Sequence, residues 1–441
     1  MTCPDCEKLQ KRVERLEKLV AELVNENKEL KRRLALYENP NVPSSQRKYP
    51  SHKRRSAGGK RFPGSPRGHP GRTRQTPKPD VVKEPEWNEC FNCGAQLGPP
   101  SFVGHKIVEE ISNPSPKLVI DFLEFEGKCG ECGAHNIARH PDCPPDGRLG
   151  KNALVQTTLM KFDERLPLKK VCETLNRTYG LSVTPPTVFD ITRRVSDWLR
   201  PEYEEIRRRV SNASVVYTDE TGEKVDGKKY WLWCFTTDIN TLAVIARSRS
   251  KKVLDDTLGK SFKGTLVVDG WRSYPTFTRK LQQCWAHMLR EADWLAEHVG
   301  EAKPLQKALH RLYSDLKASL EDDPPPEERA RLARNAKRRL SYWLKKRYRS
   351  REIKEFVQKV RNGFNHWFTF VTTPGVEPTN NRAERALKEH VVQRKIIGTF
   401  RTEKGTKIYE TIMTMLATWK QRGLDPSKAL AESLSAAWSR A

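Results

Sequence analysis

Apolar side chains at the start of the chain recur at alternating intervals of four and three: Leu9, Val13, Leu16, Val20, Leu23, Leu30 and Leu34, with Asn27 in the same register. Valine at one seam position, leucine at the other and a single Asn favour a parallel two-stranded coiled coil, in which the polar residue specifies register. Residues 1–38 therefore predict a homodimer element. The periodicity ends there. Residues 39–80 consist largely of Pro, Gly, Ser and basic side chains, so they build no core and predict a disordered cationic linker.

Beyond residue 81 runs such as "FVGHKIVEEI" and "KLVIDFLEFEGK" read as strands. Helical periodicity follows over residues 148–210. There "LPLKKVCETLNRTYG" and "TPPTVFDITRRVSDWLR" are separated by a Gly stop and a short turn, the outline of a helix-turn-helix-like pair. Arg193 and Arg194 are its candidate DNA-reading side chains. From residue 211 strands return as "SVVYTDET", "KKYWLWCFTT" and "LAVIARSRS", then a helix "KKVLDDTLG" and a strand "GTLVVDGW". That order opens an RNase H-like α/β fold. The expected architecture is an RNase H-like catalytic domain over 211–441 with a large, basic helical insertion at about 295–375. Within the insertion, Tyr342, Trp343 and Tyr348 interleave with the basic side chains, and core anchoring is favoured over base stacking.

Charge narrows the partner. A formal charge of +26 and a pI near 9.7 point to a polyanion. The linker alone carries eleven Arg and Lys against one Asp, suited to phosphate contact through counterion release. No apolar run reaches the roughly 18–20 residues of a membrane span, and "MTCPDCEKLQ" lacks the apolar core of a signal peptide. A cytoplasmic, nucleoid-associated protein is expected. Six of the ten cysteines fall in three C-x-x-C pairs, a metal-ligand spacing. Cys90 and Cys93, then Cys129 and Cys132 after 35 residues, predict a zinc ribbon over 81–147. Cys3 and Cys6 could complete a further zinc site between two chains of a parallel dimer.

Two acids end matching strands, Asp219 after "VVYT" and Asp269 after "TLVV". In the RNase H-like order those strands lie side by side, which brings the carboxylates to one rim. A third acid, Glu384, stands in "TNNRAERALKEHVVQRKIIGTF". Asn381 and Glu384 have nearly the spacing of a helix capping box; the other reading makes Glu384 a metal ligand. Magnesium (or manganese) prefers such hard oxygens, and two ions about 3.5–4 Å apart can stabilise the attacking and leaving oxygens of a phosphodiester. Arg382, Arg385, Lys388 and Arg394, with His287 of "CWAH", are candidate phosphate contacts.

The stretches "VVYTDET", "YWLW", "VVDGWRSY", "CWAH", "NNRAERALKEHVVQRKIIGTF" and "ATWKQRGLDPSKAL", with "NPNVPSSQ", "GHPGRTR" and the paired C-x-x-C motifs upstream, together resemble the insertion-sequence-66 family of transposases. The resemblance spans almost the whole chain. It implies a DDE transposase with acids at Asp219, Asp269 and Glu384, acting with Mg on the terminal repeats of an element and on target double-stranded DNA. It also implies accessory proteins from the same element. The chain departs from the family at Met288-Leu289, where relatives usually carry basic residues, and at Gly270-Trp271 in place of Gly-Tyr. A stand-alone nuclease and a domesticated, non-cleaving DNA-binding protein are the alternative functions.

Overall fold

The structure, a computed structural model, describes residues 10, 12–27, 117–122, 125–128, 132, 135–138, 140–270 and 274–439. The linker and the metal-site candidates Cys3, Cys6, Cys90, Cys93 and Cys129 lie outside them. Helix α1 (residues 12–27) covers the first half of the heptad pattern, and its seam residues Val13, Leu16, Val20 and Leu23 are exposed. Strands β1 (Phe125–Lys128) and β2 (His135–Ala138) pair antiparallel, and Cys132 lies in their connection.

The main body begins with α2 (Lys151–Phe162), α3 (Leu168–Tyr179) and α4 (Pro185–Ser211). Gly180 ends α3 in the left-handed conformation (φ 65°), and the Pro185-Pro186 start of α4 follows within five residues, the stop and start legible in the sequence. A small core of Met160, Val171, Cys172, Leu175, Val183 and Val188 joins these helices. Further along α4, Ile191, Val195, Leu199, Tyr203, Ile206 and Val210 enter the same core as the sheet. One 27-residue helix thus contributes to both cores.

The sheet comprises β3 (Val215–Val225), β4 (Lys228–Thr236), β5 (Thr241–Ala246), β6 (Thr265–Val268) and β7 (Leu281–Gln283). Its spatial order is β5-β4-β3-β6-β7, with β3, β4 and β5 antiparallel and β6 and β7 parallel to β3. Asp226 and Gly227 turn the β3–β4 hairpin with φ of 51° and 72°, the positive values that an Asp-Gly loop supplies. Helix α5 (Lys251–Leu258) crosses from β5 to β6, and the single turn α6 (Tyr274–Phe277) precedes β7. This mixed α/β arrangement is compatible with an RNase H-like domain.

Both faces of the sheet are covered, and the period of two along its strands sorts them. Val216, Leu266 and Val268 enter the core shared with α4, α13 (Glu403–Gln421) and α14 (Pro426–Trp438). Tyr217 and Val267 enter a second core. That core is built by α7 (Trp285–His298), α8 (Lys303–Ser319), α9 (Pro326–Lys345), α10 (Arg351–Asn362) and α11 (Thr369–Thr372). Trp343 and Tyr348 pack against it, but Tyr342 is exposed and does not anchor a core. The chain returns to the sheet through α12 (Asn381–Ile397).

Candidate active site

The geometry of the site begins with strand register. β3 and β6 run parallel, and Tyr217 lies opposite Val267. Asp219 is two residues past Tyr217, and Asp269 two past Val267. Equal steps along neighbouring strands, about 4.8 Å apart, bring Asp269, just past the end of β6, towards Asp219, whose carboxyl feels its charge. Asp219 is buried. Burial, with the charges of Asp269, Glu220 and Glu384, raises its carboxyl well above the usual range.

The third acid arrives on α12. The capping box expected from Asn381 does not form: Asn381 is the first helical residue, and Asn380 occupies the position before it. Asn380 is fully buried and its side chain caps nothing. Its Nδ2 donates to the Thr218 carbonyl at 2.8 Å, its backbone N–H points at Cys284 Sγ at 3.2 Å, and its carbonyl accepts the Glu384 N–H at 3.1 Å. The first turn of α12 is thereby tied to the residue preceding Asp219. Glu384 Oε1 lies 3.5 Å from Arg290 Nη2 and 3.6 Å from His287 Nδ1. Burial raises the Glu384 carboxyl; Arg290 opposes that rise and Asp269 adds to it.

His287 and Cys284 come from the start of α7. Burial and the adjacent Arg290 charge push His287 down to about 4, so its ring is neutral at neutral pH, and its Nδ1 has no hydrogen-bond partner among the described residues. Cys284 is buried, which pushes its thiol up to about 11. Donor atoms of Cys284, His287 and Glu384 lie within 4.8 Å of one another. That set mixes a thiol held protonated by burial with an imidazole and one carboxylate, a donor set poorly matched to a hard cation such as Mg. Asp219, Asp269 and Glu384 offer only hard oxygens and repel one another, a donor set that fits a divalent cation.

Glu220, which faces the opposite side of β3, was not singled out in the sequence. It is buried, accepts hydrogen bonds from Tyr274 and Arg249, and is pushed up to about 7 by burial and by Asp269. Asn380, Arg290 and Tyr274 were likewise missed. Only their nearness to the quoted motifs could have flagged them.

Several basic candidates prove to be structural. Arg194 is buried, donating to the Asp146 carbonyl and to Asp190, so it presents nothing to DNA; Arg193 is held by Asp190 and Asp197. Arg394 is also buried, donating to the Gly222 carbonyl and lying 3.8 Å from Glu223. Arg382 donates to Glu377 and the Thr237 carbonyl, over the Tyr217 ring. Arg385 and Lys388 are exposed. Met288 and Leu289 fill the second core.

Residues 146–408 match the family described as "Transposase IS66 family", a span that contains all three carboxylates. The chain belongs to the IS66 transposase family. Two bacterial relatives from Sinorhizobium fredii (strain NBRC 101917 / NGR234) are similar to this IS66 chain. "Uncharacterized protein y4jD" is 23% identical over 400 residues, covering 81% of this chain and 76% of its own. "Uncharacterized protein y4qI" is 23% identical over 319 residues, covering 64% and 58%. The IS66 match begins at residue 146, after the cysteine-bearing region and α1.

Proposed function

We propose that this IS66-family chain is a DNA transposase of the DDE type, with an RNase H-like catalytic domain and with Asp219, Asp269 and Glu384 holding Mg (or Mn). The observation that supports the reading is the parallel β3–β6 register beside the Asn380–Thr218 tie, which joins the elements carrying or preceding the three acidic residues. Bound there, the cation would polarise a phosphodiester and lower the pKa of the attacking hydroxyl. Arg290 neutralises Glu384 in part before a cation arrives, and the neutral His287 ring offers a hydrogen bond to a phosphate at the same edge. Arg385, next to Glu384, and Lys388, one turn on, are exposed and suit the flanking phosphates.

Other parts of the chain would serve assembly and substrate choice. The exposed seam of α1 would pair two chains; Cys90, Cys93, Cys129 and Cys132 would hold structural Zn, with Cys3 and Cys6 forming a second site across the dimer. Substrates would be element ends and target double-stranded DNA, with accessory proteins of the same element as partners. The deciding experiment incubates the full chain with Mg and labelled candidate terminal repeats plus a target plasmid. Joined products support a transposase, cut ends alone a nuclease, and a stable complex without cutting a DNA-binding protein.

A further inference from the structure

One concentration of charge has no part in the carboxylate site. From Arg329 through Arg351 the chain carries eleven Arg and Lys and no Asp or Glu. Most of this run is α9, whose inner face is buried through Ala333, Ala336, Leu340 and Leu344. Some of its cations serve the fold. Arg329 is buried on Asp323 and the Val371 carbonyl, Arg331 pairs with Glu328 at 2.8 Å, and Arg339 with Asp315 at 2.7 Å.

Arg334, Arg338 and Lys345 differ. All three are exposed, and none pairs with a carboxylate among the described residues. At the helical repeat of about 100° per residue they fall with Tyr342 in one stripe opposite the buried Ala333, Leu340 and Leu344. Tyr342 is 61% exposed, and Lys346 Nζ lies 4.7 Å from its ring centroid and 3.8 Å from that of Trp343, adding a fourth cation at the end of the stripe. Like charges one turn apart repel. With no acids on the stripe to offset it, that repulsion is eased by an anion from outside. From Arg334 to Lys345 the stripe extends about 16 Å at 1.5 Å per residue, about five base steps of one DNA strand.

We propose that the outer face of α9 is a sequence-independent docking track for the sugar–phosphate backbone of duplex DNA. The inference rests on the transposase reading for its partner, but not on the carboxylates. Arg334, Arg338 and Lys345 each contact a phosphate, and the Tyr342 hydroxyl donates to the same strand. The track contributes affinity and salt dependence without selecting a sequence.

The test measures binding of the full chain to a mixed-sequence duplex by fluorescence anisotropy over a range of NaCl, with no divalent cation, so cleavage plays no part. The triple variant R334Q/R338Q/K345Q should bind at least tenfold more weakly at physiological salt. The slope of log affinity against log salt should fall by about 0.9 for each phosphate that is no longer neutralised. A charge-matched control, K251Q/K252Q/K260Q, removes three exposed lysines from elsewhere and should change both much less. An unchanged slope in the α9 variant overturns the track, as does an equal loss in the control, which would reduce the effect to net charge. Loss of binding to a structured RNA with duplex DNA binding intact overturns it too. Inactive carboxylates would leave these measurements unaffected.

Discussion

Asn380 donates its side-chain amide to the carbonyl of Thr218 at 2.8 Å, the residue before Asp219, from the residue before the helix that carries Glu384. Two acids 165 positions apart are thus held by one buried hydrogen bond beside them. Asn380→Ala leaves the Thr218 carbonyl without this donor, a cost of about 1–3 kcal/mol. The variant should melt at lower temperature and need more Mg for half-maximal cleavage. A lower melting temperature with an unchanged Mg requirement would make Asn380 a packing residue only.

Asp219→Asn, Asp269→Asn and Glu384→Gln should each abolish Mg-dependent cleavage while duplex binding in the absence of metal stays within about twofold. Cleavage assays paired with anisotropy check this. A variant that still cleaves at a near-normal rate removes its residue from the metal set.

Arg165 grips Glu389 through both carboxylate oxygens, at 2.6 and 2.7 Å, linking the α2–α3 connection to α12. Burial works against ionisation of Glu389, but the Arg165 hydrogen bonds win and its carboxyl lies below the ordinary value. A lowered acid stabilises the fold above its unfolded pKa of about 4.3, and the contribution fades as pH falls through the lower folded value. Glu389→Gln should therefore lower the melting temperature at pH 7, and the difference from the parent protein should shrink below pH 4. A difference that is the same at both pH values would show that the ion pair contributes nothing.

Arg194→Ala should destabilise the protein without weakening DNA binding by the folded fraction, because its guanidinium is committed to Asp146 and Asp190. Arg385→Gln with Lys388→Gln should do the reverse, lowering the salt slope of binding by about one for each phosphate that either side chain meets. Reversed outcomes would restore Arg194 as a DNA contact and relegate the α12 pair to solvated surface.

Much of this was legible in the order of residues alone. The apolar runs before Asp219 and Asp269 announced strands, although β3 continues through Asp219 to Val225, and Gly180 with Pro185 announced the ends of two helices, because these signals act over a few neighbouring residues. Family membership followed from the order of motifs. Nothing local distinguishes Arg194 and Arg394, which are buried on backbone carbonyls, from Arg385, which is exposed. Nor could spacing reveal that Asn380 would leave its own helix to hold β3, or that Glu220 would be clamped by Tyr274 and Arg249. Those outcomes depend on which surfaces meet when distant segments pack. The sequence determined which elements form and which acids were available; packing of the sheet against its two helical layers decided which acids feel one another's charge and which cations stay exposed.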